Sequence, residues 1–104
     1  MTKYNSRKTE VDGFVFDSKR EANRYSELKL LQRVGEIGSL ELQPRFEVVI
    51  NGQHICNYFA DFRYVDFRPN GREVIEDVKG VKTPIYRLKK KLVEAVFEIT
   101  IVEV

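Results

Sequence analysis

Residues 45–80 read RFEVVINGQHICNYFADFRYVDFRPNGREVIEDVKG, and this stretch decides the fold. Arg45 to Ile50 predicts a strand, because Val48, Val49 and Ile50 are β-branched and suit a pleated surface. Asn51-Gly52 is a pair that tight hairpin turns select, since both central positions need positive φ. A second, long strand is predicted from about His54 to Phe67. Pro69-Asn70-Gly71 makes the next turn, and Glu73 to Val78 reads as a third strand broken by Gly80. Short connections between three strands predict an antiparallel meander.

Upstream, Asp12-Gly13 sits between apolar residues in Thr9 to Phe16, a short hairpin signal. Ser18 followed by Glu21 matches a capping box. Ala22, Tyr25, Leu28, Leu31 and Gln32 continue at helical spacing until Gly35 and Gly38 stop the helix. Leu40 to Gln43 is extended, with Pro44 as a break. Downstream, Thr83-Pro84 gives an N-cap followed by proline at the first helical position. The helix from Ile85 to about Phe97 carries Ile85, Leu88, Leu92, Ala95 and Val96 on one stripe, with Lys89, Lys90 and Lys91 mostly on the other side. Ile99 to Val104 is a final strand that joins the sheet. The order helix, three-stranded meander, helix, strand predicts an α+β fold with a mixed central sheet.

The 104 residues suit one domain, 1–104, in which the polar segment 1–8 is expected to be loose. A hydrophobic fraction of 42% is too high for a disordered chain. The net charge of +2 does not by itself imply nucleic acid, but the cations cluster (Lys3, Arg7 and Lys8; then Lys82, Arg87, Lys89, Lys90 and Lys91), which creates local positive fields. Cys56 is the single cysteine, so an intramolecular disulfide and a cysteine-based zinc site are excluded. A reducing, cytoplasmic setting is the default expectation, with no signal peptide, no membrane-spanning segment and no membrane partner.

Strand alternation places Ile55, Phe59, Asp61 and Val65 on one face, and so sets a carboxylate among apolar side chains. On the third strand Ile75, Asp77 and Lys79 share one face, while Val74, Glu76 and Val78 share the other. The two strands are neighbours, so Asp61 and Asp77 are expected to meet across them. Like charges in a poorly solvated place repel, and a divalent cation relieves that repulsion. Magnesium suits such a pair because it binds through one or two carboxylates, water and substrate phosphate. It would polarise a phosphate and acidify a water, while Lys79 would orient that water or face developing negative charge. The competing reading is a solvated strand face or a structural ion pair.

At these residues the chain resembles the PD-(D/E)XK nuclease superfamily. The matching pieces are Phe59-Ala60-Asp61-Phe62 and Glu76-Asp77-Val78-Lys79-Gly80, in the order of elements that the superfamily's core shows. Phe16-Asp17-Ser18-Lys19 leading into Glu21-Ala22, together with Leu42-Gln43, is similar to small phage-encoded members, so the resemblance covers most of the chain. It implies a restriction-endonuclease-like core and a metal-dependent endonuclease acting on DNA. The implied catalytic residues are Glu21, Gln43, Asp61, Asp77 and Lys79, with Asp61, Asp77, Glu21 and the Val78 backbone at magnesium, for which manganese substitutes. Glu21 has two competing roles, as the capping-box acid or as a metal ligand. Many members carry Glu where Asp77 stands, and Glu76 is a second acid there, but alternation sets Glu76 opposite Lys79.

Lys82, Thr83, Tyr86, Lys89 and Lys90 follow the active-site strand and are the expected DNA contacts, with phosphate near the Thr83-Pro84 helix start. A solvated helix face is the competing reading. Nothing resembles a base-reading helix, which favours recognition of DNA shape. By resemblance the chain is a phage protein in the bacterial cytoplasm that cuts branched DNA such as Holliday junctions. A cut in two strands needs two centres and therefore a homodimer. The alternatives are a non-catalytic DNA-binding module that keeps the fold and a nuclease acting on RNA.

Overall fold

The computed structural model describes residues 8–68 and 70–104. Apart from Lys8, the segment expected to be loose lies outside the described residues, as does Pro69. A hairpin of β1 (Thr9–Val11) and β2 (Phe14–Phe16) precedes α1 (Lys19–Arg33). Five strands follow: β3 (Ile37–Leu42), β4 (Arg45–Ile50), β5 (Gln53–Phe59), β6 (Phe62–Asp66) and β7 (Arg72–Asp77). Helix α2 (Pro84–Phe97) and β8 (Ile101–Glu103) complete the chain. The fold is α+β with a mixed four-stranded sheet, in the order β3-β6-β7-β8. The first three are antiparallel neighbours, and β8 lies parallel to β7. A parallel neighbour needs a crossover, which α2 supplies.

The meander differs from expectation in its first strand, which is Ile37–Leu42 rather than Arg45–Ile50. The long strand predicted over His54 to Phe67 is broken between Phe59 and Phe62. β3 continues into β4 and β5 continues into β6, so the two form one long hairpin bent in its middle. At the bend the Gln43 N–H donates to the Asp61 carbonyl (2.9 Å) and the Ala60 N–H donates to the Pro44 carbonyl (3.1 Å). Pro44 has no N–H to continue a ladder, and Gln43 takes a positive φ of 51°, so both strands turn together. The outer half, β4 and β5, leaves the sheet as a two-stranded arm closed by Asn51-Gly52, both at positive φ. The bend also cancels the face expected for Asp61. Ile55 and Phe59 are 47% and 57% exposed, so Asp61 is not set among them.

Two cores lie on opposite faces of the sheet. On one, α1 packs Ala22, Tyr25 and Leu28 against Phe62, Tyr64 and Val74. On the other, Tyr86 and Val93 of α2 meet Phe46, Val48 and Tyr58 of the arm and Ile75 and Ile101 of the sheet. Residues Val74 to Asp77 are therefore all buried, as expected of a central strand covered on both sides. The apolar stripe of α2 is not its buried face: Ile85 is 63% and Leu88 56% exposed. Tyr86 sets the roll instead, stacking on Tyr58 (6.4 Å between centroids) and donating its hydroxyl to Glu103 (2.7 Å). Among the described residues no helix is long and apolar enough to cross a membrane.

Candidate active site

The site forms where β7 ends and α1 begins. Extending the Phe62–Glu76 register by one step brings the backbone of Asp61 opposite Asp77. The Asp61 N–H donates to the Glu76 carbonyl (3.0 Å), and its carboxylate accepts the Val78 N–H (2.7 Å). The Val78 N–H is thereby occupied, so a metal-binding role for Val78 falls to its carbonyl. Burial raises the Asp61 pKa, opposed by the Val78 bond and by Lys79.

Asp77 is fully buried, and neither carboxylate oxygen has a hydrogen-bond partner. The Lys79 ammonium stands 4.0 Å away. Burial pushes the Asp77 carboxyl up to about 6, with Lys79 opposing. Asp77 and Lys79 thus share a side, as alternation predicts. Lys79 is itself held, with its Nζ 4.6 Å from the centroid of the Tyr86 ring.

Glu21 comes from the first turn of α1. Its N–H donates to the Ser18 hydroxyl (3.1 Å), which is one half of the capping box. The reciprocal bond from the Ser18 N–H to the Glu21 carboxylate is absent among the described residues. Instead Glu21 borders a cavity of about 440 Å³ lined also by Asp17, Arg20, Asp61, Val78 and Lys79. With Asp61 it also borders a second cavity of about 280 Å³, which takes in Gln43. Burial, then the charge of Asp61, pushes the Glu21 carboxyl up to about 7.

The structure therefore gathers Glu21, Gln43, Asp61 and Lys79 around adjoining cavities. Asp77 lines neither cavity; Lys79, Glu103 and Lys90 act on it, and it acts in turn on Glu21. Among the acids, Asp61 weighs most on Glu21, followed by Asp17 and Asp77. Lys79 is the cation that acts on all three carboxylates. Among the described residues, no group of three or more His, Cys, Asp or Glu side chains is placed to hold a metal. Glu76 is not available to the site: Arg24 grips both its oxygens (2.8 and 2.6 Å), and the Tyr64 hydroxyl donates to it as well.

The expected DNA contacts are partly engaged within the fold. Lys82 pairs with Glu103 (3.1 Å), and Lys90 pairs with Glu94 (3.2 Å). Thr83 caps α2 by accepting the Tyr86 N–H (3.1 Å), and Tyr86 is buried. Lys89 is half-buried. Asp17 and Arg20 line the main cavity without having been singled out as site residues. Their signal was positional, since both flank the Ser18 cap that fixes Glu21.

No curated protein and no solved structure matches the chain. Residues 1–102 match the model of a family described as protein of unknown function (DUF1064), and the chain belongs to that family.

Proposed function

We propose that this chain is a metal-dependent nuclease of the PD-(D/E)XK type that hydrolyses DNA phosphodiester bonds at Asp61, Asp77 and Lys79. The observation that carries the reading is Asp77, a fully buried carboxylate with neither oxygen hydrogen-bonded and an ammonium 4.0 Å away. Buried polar groups without partners are rare and costly. A hard divalent cation fits this chemistry, because magnesium needs only one or two carboxylates beside water and phosphate oxygens. Asp77 and Asp61 would hold it with the Val78 carbonyl, and no third acid is required. When bound, it supplies positive charge to the phosphate and acidifies a water.

The chain's own residues supply the rest. Lys79 directs its charge toward the negative charge that develops on the phosphate. Glu21, at about 7, takes up a proton near neutral pH and so suits a base at the cavity mouth. Gln43 offers an amide beside Glu21 and Asp61 that can orient a water or a phosphate oxygen.

The test compares a four-way junction with a matched linear duplex, each with Mg²⁺, Mn²⁺ or EDTA, for wild type and Asp77→Ala. Metal-dependent cutting that disappears in Asp77→Ala is the expected result. Preference for the junction supports a branch-selective enzyme acting as a homodimer, and a monomeric mass on bound DNA would remove the dimer. Cutting of RNA but not DNA would change the substrate. DNA binding without cutting under either metal would leave a non-catalytic module.

A further inference from the structure

A second charged surface borders the acid-lined cavity, and it lies on α1 rather than α2. A cavity of about 410 Å³ is lined in part by Lys19, Arg20, Asn23, Arg24, Glu27 and Val78. It shares Arg20 and Val78 with the cavity of Glu21, Asp61 and Lys79, so the two adjoin. The basic cavity on α2, lined by Lys82, Arg87, Lys90 and Lys91, shares no residue with the acid-lined one. It also contains Glu94 and Glu103, the carboxylates that already hold Lys90 and Lys82.

On α1, the charge of Arg24 is spent on Glu76 and Glu27. Lys19 and Arg20 are exposed and have no carboxylate partner among the described residues. The Arg20 guanidinium donates to the Lys79 carbonyl at 3.5 Å, on the loop that carries the proposed active-site lysine. Lys19 and Arg20 are also the first two residues of α1. Cations are disfavoured there, because the amide dipoles already place positive charge at a helix start. Two cations without a carboxylate partner among the described residues thus stand at a position that local stability argues against, beside a cavity proposed to hold a phosphodiester. Asn23 lies one turn on from Lys19 and extends the same face with a neutral donor.

From this we infer that Lys19 and Arg20 bind the phosphate backbone of DNA immediately beside the scissile bond, so that the strand leaves the acid-lined cavity along α1. Phosphate contacts of this kind fix register and orientation and carry no base information. Arginine adds a planar fork that can take two oxygens of one phosphate. The inference rests on the nuclease reading for the identity of the ligand.

The test separates binding from cutting. Affinity for a fluorescent DNA duplex is measured in EDTA over a range of salt for three proteins: wild type, Lys19→Ala/Arg20→Ala, and Arg87→Ala/Lys91→Ala. The α1 variant is expected to lose affinity by roughly tenfold or more at 0.1 M salt, and its log–log salt slope should fall by about two. The α2 variant should lose less. The melting temperature of the α1 variant should equal or slightly exceed that of wild type, because two unfavourable charges leave a helix start. Unchanged affinity and slope in the α1 variant would overturn the inference while leaving any metal-dependent cutting by wild type intact. Wild type that binds as described but cuts under no metal would support the contact and remove the nuclease reading. Absence of DNA binding by wild type, or an affinity loss accompanied by a lower melting temperature, would overturn the inference.

Discussion

Helices α1 and α2 cover opposite faces of one sheet and are seated by different means. α1 is only weakly amphipathic, yet it buries Glu21, Ala22, Tyr25 and Leu28. α2 is strongly amphipathic, yet much of its apolar stripe faces outward while Tyr86 and Val93 are buried. Directed polar bonds distinguish the two outcomes. Arg24 on α1 forks onto Glu76 of β7, and Tyr25 donates to Asp12 of the first hairpin (2.9 Å). Tyr86 on α2 donates to Glu103 of β8 and stacks on the arm. Helical periodicity gives a helix a face, but its roll against the sheet is set by which side chains find partners there.

The largest expected effect tests the α1 anchor. Arg24→Ala strips the buried Glu76 of both guanidinium bonds and, among the described residues, leaves its carboxylate the Tyr64 hydroxyl alone. Removing one partner of a buried ion pair costs about 3–5 kcal/mol. Urea denaturation of wild type and variant at neutral pH measures this. A cost below about 1 kcal/mol, the level of an exposed pair, would break the comparison by showing α1 to be seated by apolar contacts alone.

A second test uses the buried acid at the end of β7. The carboxyl of Asp77 rises from an ordinary 3.8 to about 6. The folded state therefore holds a proton that the unfolded chain releases at lower pH. The resulting penalty is absent below about pH 4, grows as pH rises toward 6, and is complete above it. Asp77→Asn should accordingly be more stable than wild type at pH 8 by about 2–3 kcal/mol, a gap that closes toward pH 4. Millimolar Mg²⁺ should narrow the gap by stabilising wild type, and chelation should restore it. A pH-independent difference would mean that Asp77 is not a strained acid, and the main support of the proposed function would go with it.

These cases also show what the sequence could reveal. The Ser18 and Thr83 caps and the Asn51-Gly52 turn are where local chemistry puts them, because each is decided within a few residues. Strand alternation likewise put Asp77 with Lys79 and turned Glu76 away. The break near Asp61 was hidden, since Ile55 to Val65 contains no proline or glycine to announce it. Its cause lies on the partner strand, at Gln43-Pro44. Distant partners were hidden for the same reason. Nothing near Glu76 names Arg24, and nothing near Tyr86 names Glu103, so the buried fork and the roll of α2 emerge only once the elements are packed. The action of Lys79 on Glu21, Asp61 and Asp77 alike follows from that packing.

The smallest expected effect is the sharpest test of the comparison, because identical chemistry is applied to both helices. Leu28 on α1 is fully buried, and Leu88 on α2 is 56% exposed. Leu28→Ala removes side-chain contacts from a packed core and should cost about 2–5 kcal/mol. Leu88→Ala removes little that is shielded from water and keeps a good helix former, so its effect should stay within about 0.5 kcal/mol. Denaturant midpoints for both variants, each taken at two protein concentrations, decide the matter. If Leu88→Ala costs as much as Leu28→Ala, and the cost grows with concentration, the stripe of α2 is covered in solution. The contrast between the helices would then be one between a face buried within the chain and a face buried against another. If the cost stays small at both concentrations, the roll set by Tyr86 leaves Leu88 in water, and the amphipathicity of α2 contributes little to holding the helix on the sheet.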